Sequence, residues 1–137
     1  MTHENPPSDP PAGLVPFTSR ERPSDSGLTE DQRLRSHLID MALLFESAAR
    51  IAARGVVVFA DPADDTQRLA AETILIRLAE IGSRLPESFR SAYPTAPWNA
   101  LRAVRNRISH DYRSVDPTLI WEVIDGRLPD FRRTLGI

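Results

Sequence analysis

Residues 98–113 read WNALRAVRNRISHDYR and gather the side chains best suited to binding a phosphate and moving protons beside it. Arginine offers a planar fork that matches two phosphate oxygens and stays charged. Histidine titrates at about 6.5 when unperturbed, close to working pH, and so serves as acid or base. On a helical wheel of about 100° per residue with Arg105 at zero, Leu101, Val104 and Ile108 fall at about −40°, −100° and −60°, a compact apolar face. The same wheel puts Tyr112 at about −20°, Ser109 at about 40°, Arg102 at about 60°, Asn106 at about 100° and His110 at about 140°. Asn106 and His110 are spaced to touch, and Arg105 and Tyr112 are expected two turns apart on one line. Arg102, Arg105, Arg107 and Arg113 against Asp111 leave a local charge of +3 in a chain whose net charge is −2. The basic charge is local.

Each of these side chains has a plainer role to compete with. Arg105 either holds phosphate or forms an ion pair with an acid such as Asp111 or Glu122. His110 either transfers protons or sits as a cation at a helix C-terminus. Asn106 orients His110 or caps a backbone group. Tyr112, at the edge of the apolar face, reads as packing. Arg102 and Arg107 are phosphate contacts or a solvated face, and Ser109 joins them as a binding candidate. Ser109 is no triad nucleophile, since helical neighbours diverge by about 100°. Trp98 and Trp121 read as core or interface packing rather than base stacking.

The chain predicts one all-α domain to carry this segment, a bundle of four or five helices. Thr29 and Gln32 make a capping box. Leu34, Leu38, Met41, Phe45, Ala48 and Ala52 then form one stripe that runs to a stop at Gly55. Val56–Phe59 is expected as a buried connector or frayed helix end, because no second strand-like run exists to pair with it. A second helix follows Asp61–Asp65, with Ile74, Leu78, Ile81 and Leu85 widened by Leu75 and Ile76, so burial on more than one side is expected. Gly82 inside it points to a close helix approach. Pro86 ends that helix, and a short turn is expected around Glu87–Arg90. Pro97 opens the third helix, expected to run to about Arg113. Asp116-Pro117 starts a fourth, with a break expected from Gly126 to Pro129 and a last turn over Phe131–Leu135.

Six of the 12 prolines lie within residues 1–23. Residues 1–28 are therefore expected to be a flexible Pro-rich tail, with Leu14, Val15 and Phe17 as its only docking candidates, and residues 29–137 the helical domain. The absence of cysteine excludes disulfides and thiolate metal sites. His3 and His37 have no ligand spacing, no H-E-x-x-H or acidic cage suggests a metal, and no Gly-rich loop suggests a nucleotide cradle. No cofactor is implied. All 17 basic residues are Arg, read chiefly as genome composition. No apolar run approaches the roughly 20 residues of a membrane span, so a cytoplasmic setting is expected.

Arg105-Asn106-Arg107-Ile108-Ser109-His110-Asp111-Tyr112 resembles the R-N-x-x-x-H-x-Y motif of the HepT-like branch of the HEPN superfamily. Ile81-Gly82, Arg84-Leu85-Pro86, Tyr93-Pro94, Pro97-Trp98, Val115-Asp116, Ile120-Trp121-Glu122 and Leu128-Pro129 resemble that family in order and spacing. The likeness is densest over residues 72–131. One departure is Gly82-Ser83, where relatives commonly carry Gly-Glu. The resemblance implies a helical toxin of a toxin–antitoxin pair, acting as a metal-independent endoribonuclease. It also implies a small nucleotidyltransferase antitoxin that adds AMP to the motif tyrosine, here Tyr112.

The residues are compatible with that chemistry. Metal-free RNA cleavage uses the neighbouring 2′-hydroxyl and needs a base, an acid and a cation, whereas one chain offers a single histidine in the cluster. A two-fold dimer with these helices face to face would supply two His110 and two Arg105, and the resemblance implies the same homodimer. On this reading Arg105, His110 and Asn106 are the catalytic set, and Arg102, Arg107 and Ser109 bind RNA. Two rival readings use the same surface: a non-catalytic RNA- or nucleotide-binding module, and a scaffold that only docks a nucleotidyltransferase.

Overall fold

A computed structural model describes residues 27–137. The expectations for His3, for Leu14, Val15 and Phe17, and for most of the Pro-rich tail lie outside the described residues. Among the described residues every regular element is helical.

The helix starts are local chemistry. Helix α1 (Glu30–Ala53) opens with the expected box: the Gln32 amide N–H donates to Thr29 Oγ1 at 3.2 Å, and the Thr29 N–H donates to Gln32 Oε1 at 2.9 Å. Its inward stripe includes Met41, Phe45, Ala48 and Ile51. It stops where Gly55 takes φ 87°, a conformation costly for any residue with a Cβ. The following helix α2 (Val56–Phe59) corrects one expectation. It is a single helical turn that buries Phe59 against Trp121, while Val57 is 82% exposed and both flanking valines also face solvent.

Helix α3 (Thr66–Arg84) is entered through a turn held by acids. Asp61 accepts from the Ala63 N–H at 2.9 Å, and Asp64 accepts from the Thr66 N–H at 3.0 Å. The hydrogen bonds from Thr66 hold the Asp64 carboxyl below its ordinary range. Leu75, Leu78 and Ala79 are buried, because α3 packs on α1 along one side and on α5 along another. Leu85 turns extended ahead of Pro86 and closes the helix. Helix α4 (Glu87–Ala92) then spans the Pro-rich connection to helix α5 (Trp98–His110).

Asp116 caps helix α6 (Pro117–Glu122) by accepting from the Thr118 N–H at 2.9 Å, with Pro117 in the first turn as expected. The break expected at Gly126–Pro129 does not occur. A π-helical turn over Val123–Arg127 leads without interruption into helix α7 (Leu128–Leu135). Proline lacks an N–H and its ring collides with the carbonyl four residues back. The wider turn, in which the Leu128 N–H bonds the Val123 carbonyl, absorbs that conflict. It also keeps Ile124, Leu128, Phe131 and Leu135 all pointing inward. Phe131 completes the core by standing edge-on to Phe45 of α1 and to Trp98 of α5, with ring centroids 5.2 and 5.1 Å away.

Candidate active site

The rotation of α5 about its axis is set at its first turn. The Trp98 indole N–H donates to the Tyr93 carbonyl at 3.2 Å. Its ring lies over Gly82 of α3, where a Cβ would stand 3.5 Å from Trp98 Cε3. Leu101 and Ile108 are buried on the same side. The opposite side is thereby committed to solvent: Arg102, Asn106, Arg107, Ser109 and His110 are all exposed. Arg105 sits on the border, with its side chain 41% exposed.

Arg105 is held loosely. Its Nη2 is 4.0 Å from Glu80 Oε1 on α3, and its Nη1 donates to Asn106 Oδ1 at 3.5 Å. Its Nε is shielded from solvent and has no hydrogen-bond partner. The acid beside it is thus Glu80 and not Asp111 or Glu122. The Ser83 hydroxyl donates to the Glu80 carbonyl at 2.7 Å and, among the described residues, makes no hydrogen bond to Arg105. Negative charge reaches the arginine from one turn earlier on the same helix. An exposed pair of this length is worth about 0–1 kcal/mol, so a phosphate can displace it.

His110 is the last residue of α5, at the end of the helix where the backbone carbonyls favour positive charge. Asn106 turns its amide oxygen to Arg105, and among the described residues it makes no hydrogen bond to His110. The expected orienting contact between them is absent from the single chain.

Tyr112 is the larger departure. The helix expected to reach about Arg113 stops at His110, because Asp111 adopts φ −148° and ψ 60° and Tyr112–Ser114 form a 3₁₀ turn. The Asp111 carbonyl is taken by the Ser114 hydroxyl at 3.0 Å and the Ser114 N–H at 3.1 Å, a local arrangement that competes with helix continuation. The expected Arg105–Tyr112 line along one helix is therefore not formed. Tyr112 is 64% exposed and not packed at the apolar edge. Its phenol oxygen accepts from Arg113 Nε at 3.3 Å.

Glu80 and Arg113 are the two neighbours that local spacing did not single out. Glu80 meets Arg105 only because α3 crosses α5 at Gly82 and Trp98. Arg113 meets Tyr112 within the 3₁₀ turn that follows the helix. Both tryptophans pack as expected, Trp98 on Phe131 and Trp121 on Phe59.

The polar face is open, with a phosphate-competent cation and an imidazole five residues apart on one helix. Two cavities lie elsewhere, one lined by Phe45, Ile124, Leu128 and Pro129, the other by Asp61, Pro62, Arg68 and Pro117. Neither includes Arg105 or His110. Among the described residues no group of three or more His, Asp or Glu is placed to hold a metal ion, and no helix is long and apolar enough to cross a membrane.

A family model described as Ribonuclease HepT-like matches residues 45–136, a stretch that contains α3, α5 and the whole polar face. A Methanocaldococcus jannaschii protein provisionally named as an RNase is 26% identical over 65 residues, 47% of this chain and 53% of that protein. A Thermococcus cleftensis protein provisionally named ribonuclease HepT is 23% identical over 69 residues, 50% of this chain and 63% of that protein. The chain thus spans little more than half the length of these relatives. No solved structure matches.

Proposed function

Since the chain belongs to the HepT-like ribonuclease family, we propose that it is a metal-independent endoribonuclease acting as the toxin of a toxin–antitoxin pair. The observation that carries this reading is an exposed His110 and a half-exposed, loosely held Arg105 on a helix whose other face is locked into the core.

Arg105 binds the scissile phosphate through its fork, releasing Glu80 as it does so. His110 of one copy takes the proton of the 2′-hydroxyl, whose oxygen attacks phosphorus. The bond from phosphorus to the 5′-oxygen breaks, and His110 of a second copy protonates that leaving oxygen. Two copies are invoked because the motif helix carries one imidazole, whereas the reaction needs both a base and an acid. Asn106 holds the Arg105 guanidinium in the free chain and is available to the imidazole once RNA takes the arginine. Arg102, Arg107 and Ser109 extend the same face and contact the RNA backbone. The setting is the cytoplasm, where its RNA substrate lies.

A small nucleotidyltransferase antitoxin silences the enzyme by transferring AMP to Tyr112. The exposed phenol suits a modification site, and the added phosphate charge and bulk beside the cationic face oppose RNA binding. Intact mass after co-expression, compared with Tyr112→Phe, reads that claim.

The deciding experiment is cleavage of a fluorogenic RNA in excess chelator by the purified chain and by His110→Ala. Steady cleavage that the substitution removes, with an unchanged melting curve, supports the enzyme. RNA binding without cleavage leaves the non-catalytic binding module instead. A monomer by sedimentation at micromolar concentration, still cleaving, removes the two-histidine mechanism.

A further inference from the structure

Tyr112 and Arg113 are neighbours in the 3₁₀ turn that follows α5, and their long side chains meet over solvent. Arg113 Nε donates to the phenol oxygen at 3.3 Å, and the guanidinium carbon lies 5.8 Å from the ring centroid. Both side chains are exposed, and among the described residues no carboxylate pairs with Arg113. An uncompensated cation is thus seated on an exposed hydroxyl oxygen. Only one of its five N–H donors is in use, so both terminal nitrogens remain for other oxygens.

We propose that Arg113 is the phosphate anchor for modification of Tyr112, a role that rests on Tyr112 being the AMP acceptor. The phenol oxygen attacks the α-phosphorus of a nucleoside triphosphate. The new bond joins that oxygen to phosphorus, the bond to the bridging oxygen of the β-phosphate breaks, and pyrophosphate leaves with the electron pair. The phenol proton passes to the nucleotidyltransferase or to water. Non-bridging oxygens on a phosphorus attached at this position come within reach of the same guanidinium. Arg113 therefore meets the charge that grows on phosphorus during transfer, and it remains paired with the phosphodiester afterwards.

The test measures AMP incorporation by intact mass, with the co-expressed nucleotidyltransferase purified and supplied with ATP and magnesium. Its substrates are the full-length chain and its Arg113→Ala, Arg113→Lys and Tyr112→Phe variants, each checked by circular dichroism. The expected result is a loss of about 10- to 100-fold in kcat for Arg113→Ala, the range of one charge-assisted hydrogen bond, with Arg113→Lys between. Equal kcat for Arg113→Ala and the parent chain overturns the anchor and leaves Tyr112 as the acceptor. A loss confined to KM for the chain also overturns it, making Arg113 a docking contact. If Tyr112→Phe takes up AMP as readily as the parent, the acceptor itself is misassigned, and the anchor falls with it.

Discussion

The two ends of α5 are built on opposite terms. At the first turn, Trp98 is pinned by a hydrogen bond to the Tyr93 carbonyl, by Gly82 beneath its ring and by Phe131 at its edge. At the last turn, His110 is exposed, and beyond it the chain leaves the helix into an exposed 3₁₀ turn. The held end sets the rotation of the whole helix, so the open end presents the His110 imidazole to solvent, with Arg105 behind it held only by Glu80 at 4.0 Å and Asn106 at 3.5 Å. A reactive group needs a rigid base more than it needs neighbours of its own. Stability and chemistry are thus separated along 13 residues of one element.

That separation predicts opposite outcomes for substitution at the two ends. His110→Ala is expected to lower RNA cleavage by about 10²- to 10⁴-fold, the usual contribution of a general acid or base. Its unfolding free energy should stay within about 0.5 kcal/mol of the parent, as for an exposed side chain without partners. Trp98→Ala should do the reverse first, costing about 3 kcal/mol of stability in urea melts through the void left between α3, α5 and α7. Comparable destabilisation by both substitutions would show that His110 is structural and that the contrast is false.

A smaller effect is expected at Glu80, which links the held side to the open side through its 4.0 Å approach to Arg105. Glu80→Gln removes the competing charge while keeping an acceptor. RNA binding should tighten by up to about fivefold at low salt, and the gain should fade as the ionic strength rises. Weaker binding in fluorescence anisotropy would instead make Glu80 a required support for the arginine.

What could be read in the chain beforehand follows the same division. The starts of α1 and α6 were readable because Thr29 with Gln32, and Asp116 with Pro117, act on backbone groups within a turn of themselves. The residues of the polar face were readable because Leu101 and Ile108 define the opposite side of the wheel. The end of α5 was not, since it is decided at Asp111 by hydrogen bonds from Ser114 against one more helical turn. The π turn escaped because Gly126 and Pro129 argue for a stop, while burial of Ile124, Leu128 and Phe131 against other helices argues for continuing, and burial prevails. The Arg105–Glu80 contact depends on how two helices cross, which no spacing within either helix contains.

The crossing itself is testable at Gly82. A methyl group built there meets Trp98 at 3.5 Å and Leu101 at 4.0 Å, both ordinary contacts. Glycine in a helix costs about 0.5–1 kcal/mol relative to alanine. Gly82→Ala is therefore expected to raise stability by about 0.5 kcal/mol and leave cleavage as it was, since Trp98 need not move. A loss of stability would mean that α3 and α5 approach more closely than these distances, and that the held end has no slack at all.

The smallest effects concern two carboxylates of the α3 region that respond to acid in opposite directions. Hydrogen bonds from Thr66 hold Asp64 below its ordinary pKa, so its contribution is present above the unfolded-state value and disappears as pH falls through the folded-state one. Asp64→Ala should lower the melting temperature at pH 7, and the difference should close in strong acid. Burial raises Glu72, with Asp65 adding to the shift and Arg68 opposing it. Its charge is a penalty at neutral pH that lifts as the carboxyl protonates on acidification. Glu72→Gln should then gain slightly at pH 7, an advantage that vanishes below both the folded and the unfolded pKa. Parallel pH profiles for the two variants would show that the start of α3 is not held by Asp64, and that the helix carrying Glu80 and Gly82 is anchored by its packing alone.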